Sequence, residues 1–333
     1  MVNAPETLAF PSIRRTQFCA SRFIPSNILR LRHNRWVSEV IDGITIEHHD
    51  VLTNGVRLHC AIAGPTDGPL VIALHGFPEF WRGMLNPMLA LAKAGYRVVT
   101  PDQRGYNFSE KPGHISDYRI EVLAADVAGL ITHFGSTKAH ILGHDWGAAV
   151  AWWLALTKPD VIRSLAIVNV PHPRVLAKQI RTDRRQLRKS WYMFALQIPW
   201  LPERLIFSRL TRPAFARVIA RTAGPDSMTP QYQQELRNAW TTADSGRGMA
   251  HWYRAAMQQR PPSLTDKHVH VPTLILWGRK DFALTQAMAE ASAALCDDVE
   301  LVTYDDATHW LLHDEPVDSA RRIVEFFNRT AQS

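Results

Sequence analysis

Cysteine is scarce in this chain. There are three in 333 residues, Cys19, Cys60 and Cys296, far apart and with no C-x-x-C pair. That argues against a disulfide framework or a thiolate zinc site and fits a reducing, cytoplasmic compartment. No apolar run approaches the roughly 18 to 20 residues of a membrane helix, so no integral membrane segment is expected. Gly-x-Gly-x-x-Gly is absent, and so is any Cys/His cluster at ligand spacing. The chemistry is therefore expected to need no metal, nucleotide or organic cofactor. Acid is missing from one long stretch: none lies between Glu6 and Glu39, where Arg14, Arg15, Arg22, Arg30, Arg32 and Arg35 occur. Such a leader has the composition of a transit peptide, which would send the chain to an organelle. Pro11 and Pro25 would break a long amphipathic helix, so a poorly ordered basic extension over residues 1–43 is the expectation. The formal charge is +7, with a second basic cluster at residues 181–189. No nucleic-acid motif accompanies it, and no nucleic-acid partner is expected.

What is present is an ordinary globular composition, 46% hydrophobic and 21% charged, in a chain long enough for a large core. Residues 44–49 and 55–63 read as strands about an Asn54-Gly55 turn, a strong hairpin signal. Residues 70–74 form a continuous apolar run, expected of a strand buried on both faces. Strand and helix patterns then alternate: strands at 97–100, 139–142 and 165–170, helices at 81–94, 120–134 and 148–156. Residues 171–271 contain no buried-strand run and read as short helices. Alternation resumes with strands at 273–277 and 299–304 and helices at 283–295 and 317–327. The pattern predicts an α/β fold with a mostly parallel sheet, a core over residues 44–170 and 272–333, and an inserted helical cap over 171–271.

The chain is organised around Gly143-His144-Asp145-Trp146-Gly147, between an apolar strand and an apolar helix. This is the Gly-x-Ser-x-Gly elbow with aspartate in the nucleophile position: a tight turn that pushes one side chain over the sheet edge. A helix N-cap is the plain alternative for Asp145. Polar residues just past the other strands are His75, Asp102, Asn169, Asp281 and His309, and ligands of doubly wound sheets sit there. Asp145, Asp281 and His309 follow the chain order nucleophile, acid, histidine. Asp281 could instead cap a helix or pair with Arg279. Asn169 occupies a place from which an orienting acid could act, but an amide carries no charge. Asp102 and Arg104 read as a structural turn pair.

His75-Gly76-Phe77-Pro78-Glu79, the Asp145 elbow, Asp281 and His309 together resemble the epoxide hydrolases of the α/β-hydrolase fold, over about residue 47 to the C-terminus. The resemblance implies an eight-stranded, mostly parallel sheet under a helical lid. It also implies two lid tyrosines, one in Trp191-Tyr192-Met193-Phe194-Ala195-Leu196-Gln197-Ile198-Pro199 and one in His251-Trp252-Tyr253-Arg254. The implied roles are Asp145 as nucleophile, His309 as general base, Asp281 as its orienting acid, and Tyr192 and Tyr253 as donors to the epoxide oxygen. The backbone N–H groups of Phe77 and Trp146 would form the oxyanion hole, and His75, Pro78, Trp252 and Leu196 would line the pocket. The implied partners are a hydrophobic epoxide and water, in a monomer or homodimer. Haloalkane dehalogenases share the Asp-Trp elbow but do not need two phenols. A non-enzymatic binding protein on the same fold is a further alternative, since fold alone does not give function.

Overall fold

The computed structural model describes residues 37–331 apart from Ala243 and Arg260; the Arg-rich leader through Arg35 lies outside the described residues. Nine strands form one sheet: β1 (Glu39–Ile41), β2 (Ile44–Thr53), β3 (Val56–Ala63), β4 (Leu70–Leu74), β5 (Arg97–Pro101), β6 (Ala139–His144), β7 (Ile162–Val168), β8 (Thr273–Gly278) and β9 (Val299–Tyr304). Their order is β1-β2-β3-β5-β4-β6-β7-β8-β9. The first four strands in that order pair antiparallel, and β5-β4-β6-β7-β8-β9 are parallel. The sheet therefore has one strand more than expected. The extra one, β1, is three residues long and pairs with the edge of β2, too short to register as a hydrophobic pattern. Asn54 and Gly55 close the β2–β3 hairpin with φ of 47° and 71°, the positive values that a tight two-residue turn demands.

Helices cover the parallel part: α1 (Leu85–Lys93), α2 (Ile120–His133) and α3 (Trp146–Thr157). Between β7 and β8 come α4 (Pro173–Thr182), α5 (Arg184–Lys189), α6 (Trp191–Ala195), α7 (Leu201–Leu205), α8 (Arg212–Arg221), α9 (Pro230–Ala239) and α10 (Ser245–Gln258); α11 (Ala287–Ala293), α12 (Leu311–Asp314) and α13 (Pro316–Ala331) follow. The α11 helix starts four residues later than its pattern predicts. The N–H groups of Ala283 and Leu284 are taken by Asp281 Oδ1, and that of Thr285 by Gln186, so the segment stays a loop. The helical block is tied to the strand-end loops by specific donors: Trp240 Nε1 to the Pro78 carbonyl, Trp252 Nε1 to the Arg104 carbonyl, and the Tyr232 hydroxyl to Glu79. Among the described residues no helix is long and apolar enough to cross a membrane.

The sheet order reverses at β4: β5 lies on one side of it and β6 on the other. In parallel α/β sheets the crevice beyond such a switch point is where ligands sit. The loops leaving β4 and β6 are His75–Glu79 and the Asp145 elbow, with Leu74 and Gly143 in register.

Candidate active site

Asp145 has φ 49° and ψ −122°, a region in which a non-glycine residue is held only by its surroundings. Its side chain makes no capping bond to its own helix α3, which removes the helix-cap reading. Oδ1 instead accepts from the Phe77 N–H at 2.7 Å, and Oδ2 lies 3.4 Å from His309 Nε2. Glycine is required where the loops meet. A Cβ on Gly76 would lie 2.2 Å from Asp145 Cβ, and one on Gly147 would lie 2.2 Å from the Leu74 carbonyl oxygen.

His309 Nδ1 lies 2.7 Å from Asp281 Oδ2, and both residues are buried. Asp281 Oδ2 also accepts from Asn169 Nδ2 at 2.9 Å. Asp281 is not the partner of Arg279, which pairs with Asp305. One carboxylate oxygen closes the turn before α11, and the other faces the imidazole. Burial opposes a charge on His309, but the carboxylates of Asp281 and Asp145 outweigh it and hold the ring pKa up at about 10. Burial likewise acts against the Asp145 carboxylate, yet His309 beside it keeps its pKa below the ordinary value. The two carboxylates thus favour the protonated form of the imidazole between them.

Tyr253 on α10 is buried, and its ring stands edge-on to Phe77 at 5.1 Å, to Trp146 at 5.0 Å and to Tyr192 at 6.0 Å. Burial raises the pKa of both phenols, and the Asp145 charge raises them further. They remain protonated, and so able to donate, across the physiological range. The segments carrying the two tyrosines are locked together. Gln197 Nε2 donates to the Tyr253 carbonyl at 3.0 Å, and Arg254 donates to the carbonyls of Leu196 and Ile198.

A cavity of about 320 Å³ adjoins this cluster. Its wall includes Trp146, Met193 and Trp252, the chain neighbours of Asp145, Tyr192 and Tyr253. Trp252 is among the residues that line this cavity; His75, Pro78 and Leu196 are not. His75 is spent on the loop: Nε2 accepts from the Gln103 N–H and Nδ1 lies 3.0 Å from the Gly76 carbonyl oxygen. The Pro78 carbonyl is held by Trp240, and Leu196 is buried with its carbonyl accepting from Arg254.

Three residues hold positions to which the sequence analysis assigned no role in the site. Asn169, at φ 54°, braces Asp281. His144 Nε2 donates to the His309 carbonyl at 2.9 Å. Glu79 meets His144 at 3.3 Å and His313 at 2.7 Å, so it fixes the loop that carries His309. Burial works against its charge, but the two histidines keep its pKa well below the ordinary carboxylate range. The signal for Asn169 was its place past a strand; for Glu79 and His144 it was their motifs. Asp102 and Arg104 do not pair: Asp102 meets His59 at 2.6 Å, and Arg104 pairs with Asp126 on α2. Among the described residues no group of three or more His, Cys, Asp or Glu is arranged to hold a metal ion.

Comparison with known proteins follows the same line. The family model described as alpha/beta hydrolase fold matches residues 69–316. The chain belongs to the α/β-hydrolase fold family, among its epoxide hydrolases. Epoxide hydrolase 1 of Caenorhabditis elegans is 34% identical over 82% of this chain and 68% of its own length. An AB hydrolase superfamily protein, YfhM, of Bacillus subtilis is 39% identical over 86% of this chain and 99% of its own. Among solved structures, the Mycobacterium thermoresistibile epoxide hydrolase A superposes with a TM-score of 0.74 at 29% identity, covering 85% of this hydrolase and 98% of its own chain. The Bacillus megaterium epoxide hydrolase bound to an inhibitor gives 0.76 at 25% identity, over 84% and 100%.

Proposed function

We propose that this hydrolase converts an apolar epoxide to a vicinal diol through a covalent ester on Asp145, beneath a lid formed within residues 171–271. The observation that carries the reading is the Asp145 carboxylate on its strained turn, one oxygen on the Phe77 N–H and the other toward His309. An epoxide offers a strained sp³ carbon and no carbonyl. An ionised carboxylate suits that target because it needs no base to activate it. Oδ2, the oxygen not held by Phe77, attacks a ring carbon. The carbon–oxygen bond breaks, Tyr192 and Tyr253 hydrogen-bond to the alkoxide, and one of them supplies its proton and is reprotonated from solvent.

Esterification removes the Asp145 charge and with it one of the two carboxylates that keep His309 protonated. Once His309 has given up its proton to solvent, it is neutral and still oriented by Asp281. It then takes a proton from water, and the water oxygen adds to the ester carbonyl. The N–H groups of Phe77 and Trp146 receive the oxyanion, which collapses to free the diol and restore the carboxylate. The base is available only when there is an ester to hydrolyse.

The test is a panel of aliphatic and aryl epoxides scored for diol, beside haloalkanes scored for halide release. Diol formation that is lost in Asp145→Asn, after excluding deamidation, supports the reading. Halide release without diol would assign the carboxylate to dehalogenation, and binding without turnover would make the site a receptor.

A further inference from the structure

Helices α4 to α8 carry cationic and apolar surface together. Residues 173–221 contain twelve Lys or Arg and two acids, a larger positive excess than the +7 of the whole chain. The remaining residues are therefore net negative. Both acids are engaged: Asp183 caps α5 through the Arg185 N–H, and Glu203 pairs with Arg254. Arg181, Arg184, Arg185, Arg188, Arg204 and Arg209 are exposed.

Among these cations stand large apolar side chains with no cover. Trp191 is 68% and Trp200 61% exposed, and Phe194, Ile198 and Leu210 are exposed as well. Leu196 is buried and Tyr192 partly so, whereas Trp191 and Phe194 on α6 and Ile198 in the turn that follows it are exposed. Trp200 is held at φ 57°, a strained conformation for a bulky residue, with the Arg204 guanidinium 5.5 Å from its ring centroid. Phe194 and Met257 are exposed and also line the 320 Å³ cavity, so the cavity opens on this face.

We propose that this face docks on an anionic bilayer surface. Trp191, Phe194, Ile198 and Trp200 enter the boundary between headgroups and acyl chains, and the surrounding arginines meet lipid phosphates. The cavity mouth then faces the lipid. Basic residues about an aromatic and aliphatic patch match both layers of such a surface, since indole rings settle at the headgroup level and cations gain from anionic lipid. A protein-interface centre is depleted of charge, and a nucleic-acid surface does not call for Ile198 and Leu210.

The experiment is co-sedimentation of the full chain with phosphatidylcholine vesicles and with vesicles containing phosphatidylglycerol, at low and high salt, with tryptophan emission recorded alongside. Binding should require the anionic lipid, shift tryptophan emission to the blue, and weaken at high salt as screening shortens. Arg184→Gln with Arg185→Gln and Arg188→Gln should weaken it about fivefold per cation removed, some hundredfold for the three. Trp191→Ser with Trp200→Ser should weaken it and abolish most of the blue shift. Circular dichroism and epoxide turnover in detergent report whether each variant is folded. Vesicle binding that is absent, or unchanged in both variants, would overturn the proposal. So would a self-association that the Trp variants abolish without any vesicle binding, or binding to RNA in preference to anionic vesicles. None of these outcomes depends on which bond Asp145 attacks.

Discussion

Replacing Asp145 by Asn should bring His309 back to a working base. The two groups are 3.4 Å apart. Unit charges at that distance interact by about 5 kcal/mol at an effective dielectric near 20. The Asp145 side chain keeps 17% exposure, so solvent reduces this to about 3 to 5 kcal/mol. At 1.36 kcal/mol per pH unit that is about 2 to 3.5 units. From the value of about 10 that Asp281 and Asp145 together impose, His309 in Asp145→Asn should titrate at about 6.5 to 8. The sign follows from removing an anion that favours imidazolium. Ester formation removes the same charge, so deacylation should rise with pH through that interval and level off above it. Titrating the imidazole by NMR, in wild type and in the Asn variant, measures the shift. A His309 that titrates at the same pH in both would refute the idea that the nucleophile's charge keeps the base switched off.

Tyr192→Phe and Tyr253→Phe should each slow ester formation by about 10²- to 10⁴-fold and leave hydrolysis of a preformed ester near wild type; single-turnover kinetics separate the two steps. Gly76→Ala places a Cβ 2.2 Å from Asp145 Cβ, so the elbow must shift. An overpacking cost of about 1 to 3 kcal/mol in thermal unfolding and at least a hundredfold loss of turnover are expected, and an unaltered enzyme would contradict the packing argument. Asp102, Asp281 and Glu79 are buried, yet their histidine partners hold all three below ordinary carboxylate pKa values. The stability they contribute is present above the unfolded values near 4 and is lost as pH falls through the folded ones. The Tm should therefore drop steeply below about pH 4, and Glu79→Gln should lower the neutral Tm while flattening that acid limb.

Much of this was legible because the decisive residues sit at strand ends, where apolar runs stop and a polar side chain has one direction left to point. The elbow, the late Asp281 and the Thr308-His309-Trp310 loop are local patterns, and their convergence follows from the strand order. What the sequence hid is tertiary. Asn169 looked unsuited because an amide lacks charge; its part is to donate to the charge on Asp281. Arg104 has its partner on α2, beyond any local pairing rule. His75 sits in the best-known motif of the chain, but both ring nitrogens face backbone groups, and no spacing rule distinguishes a histidine that shapes a loop from one that faces ligand. The late start of α11 is set by side-chain acceptors from Asp281 and Gln186, which helical periodicity does not register.

The most direct measurement is the intact mass of His309→Gln after exposure to an epoxide that the wild type turns over, followed by peptide mapping. A stoichiometric adduct equal to the mass of the epoxide, carried by the peptide that contains Asp145 and absent in Asp145→Asn, is the predicted result. An unmodified protein that still forms diol, or an adduct on any other residue, would contradict the covalent chemistry assigned to that carboxylate.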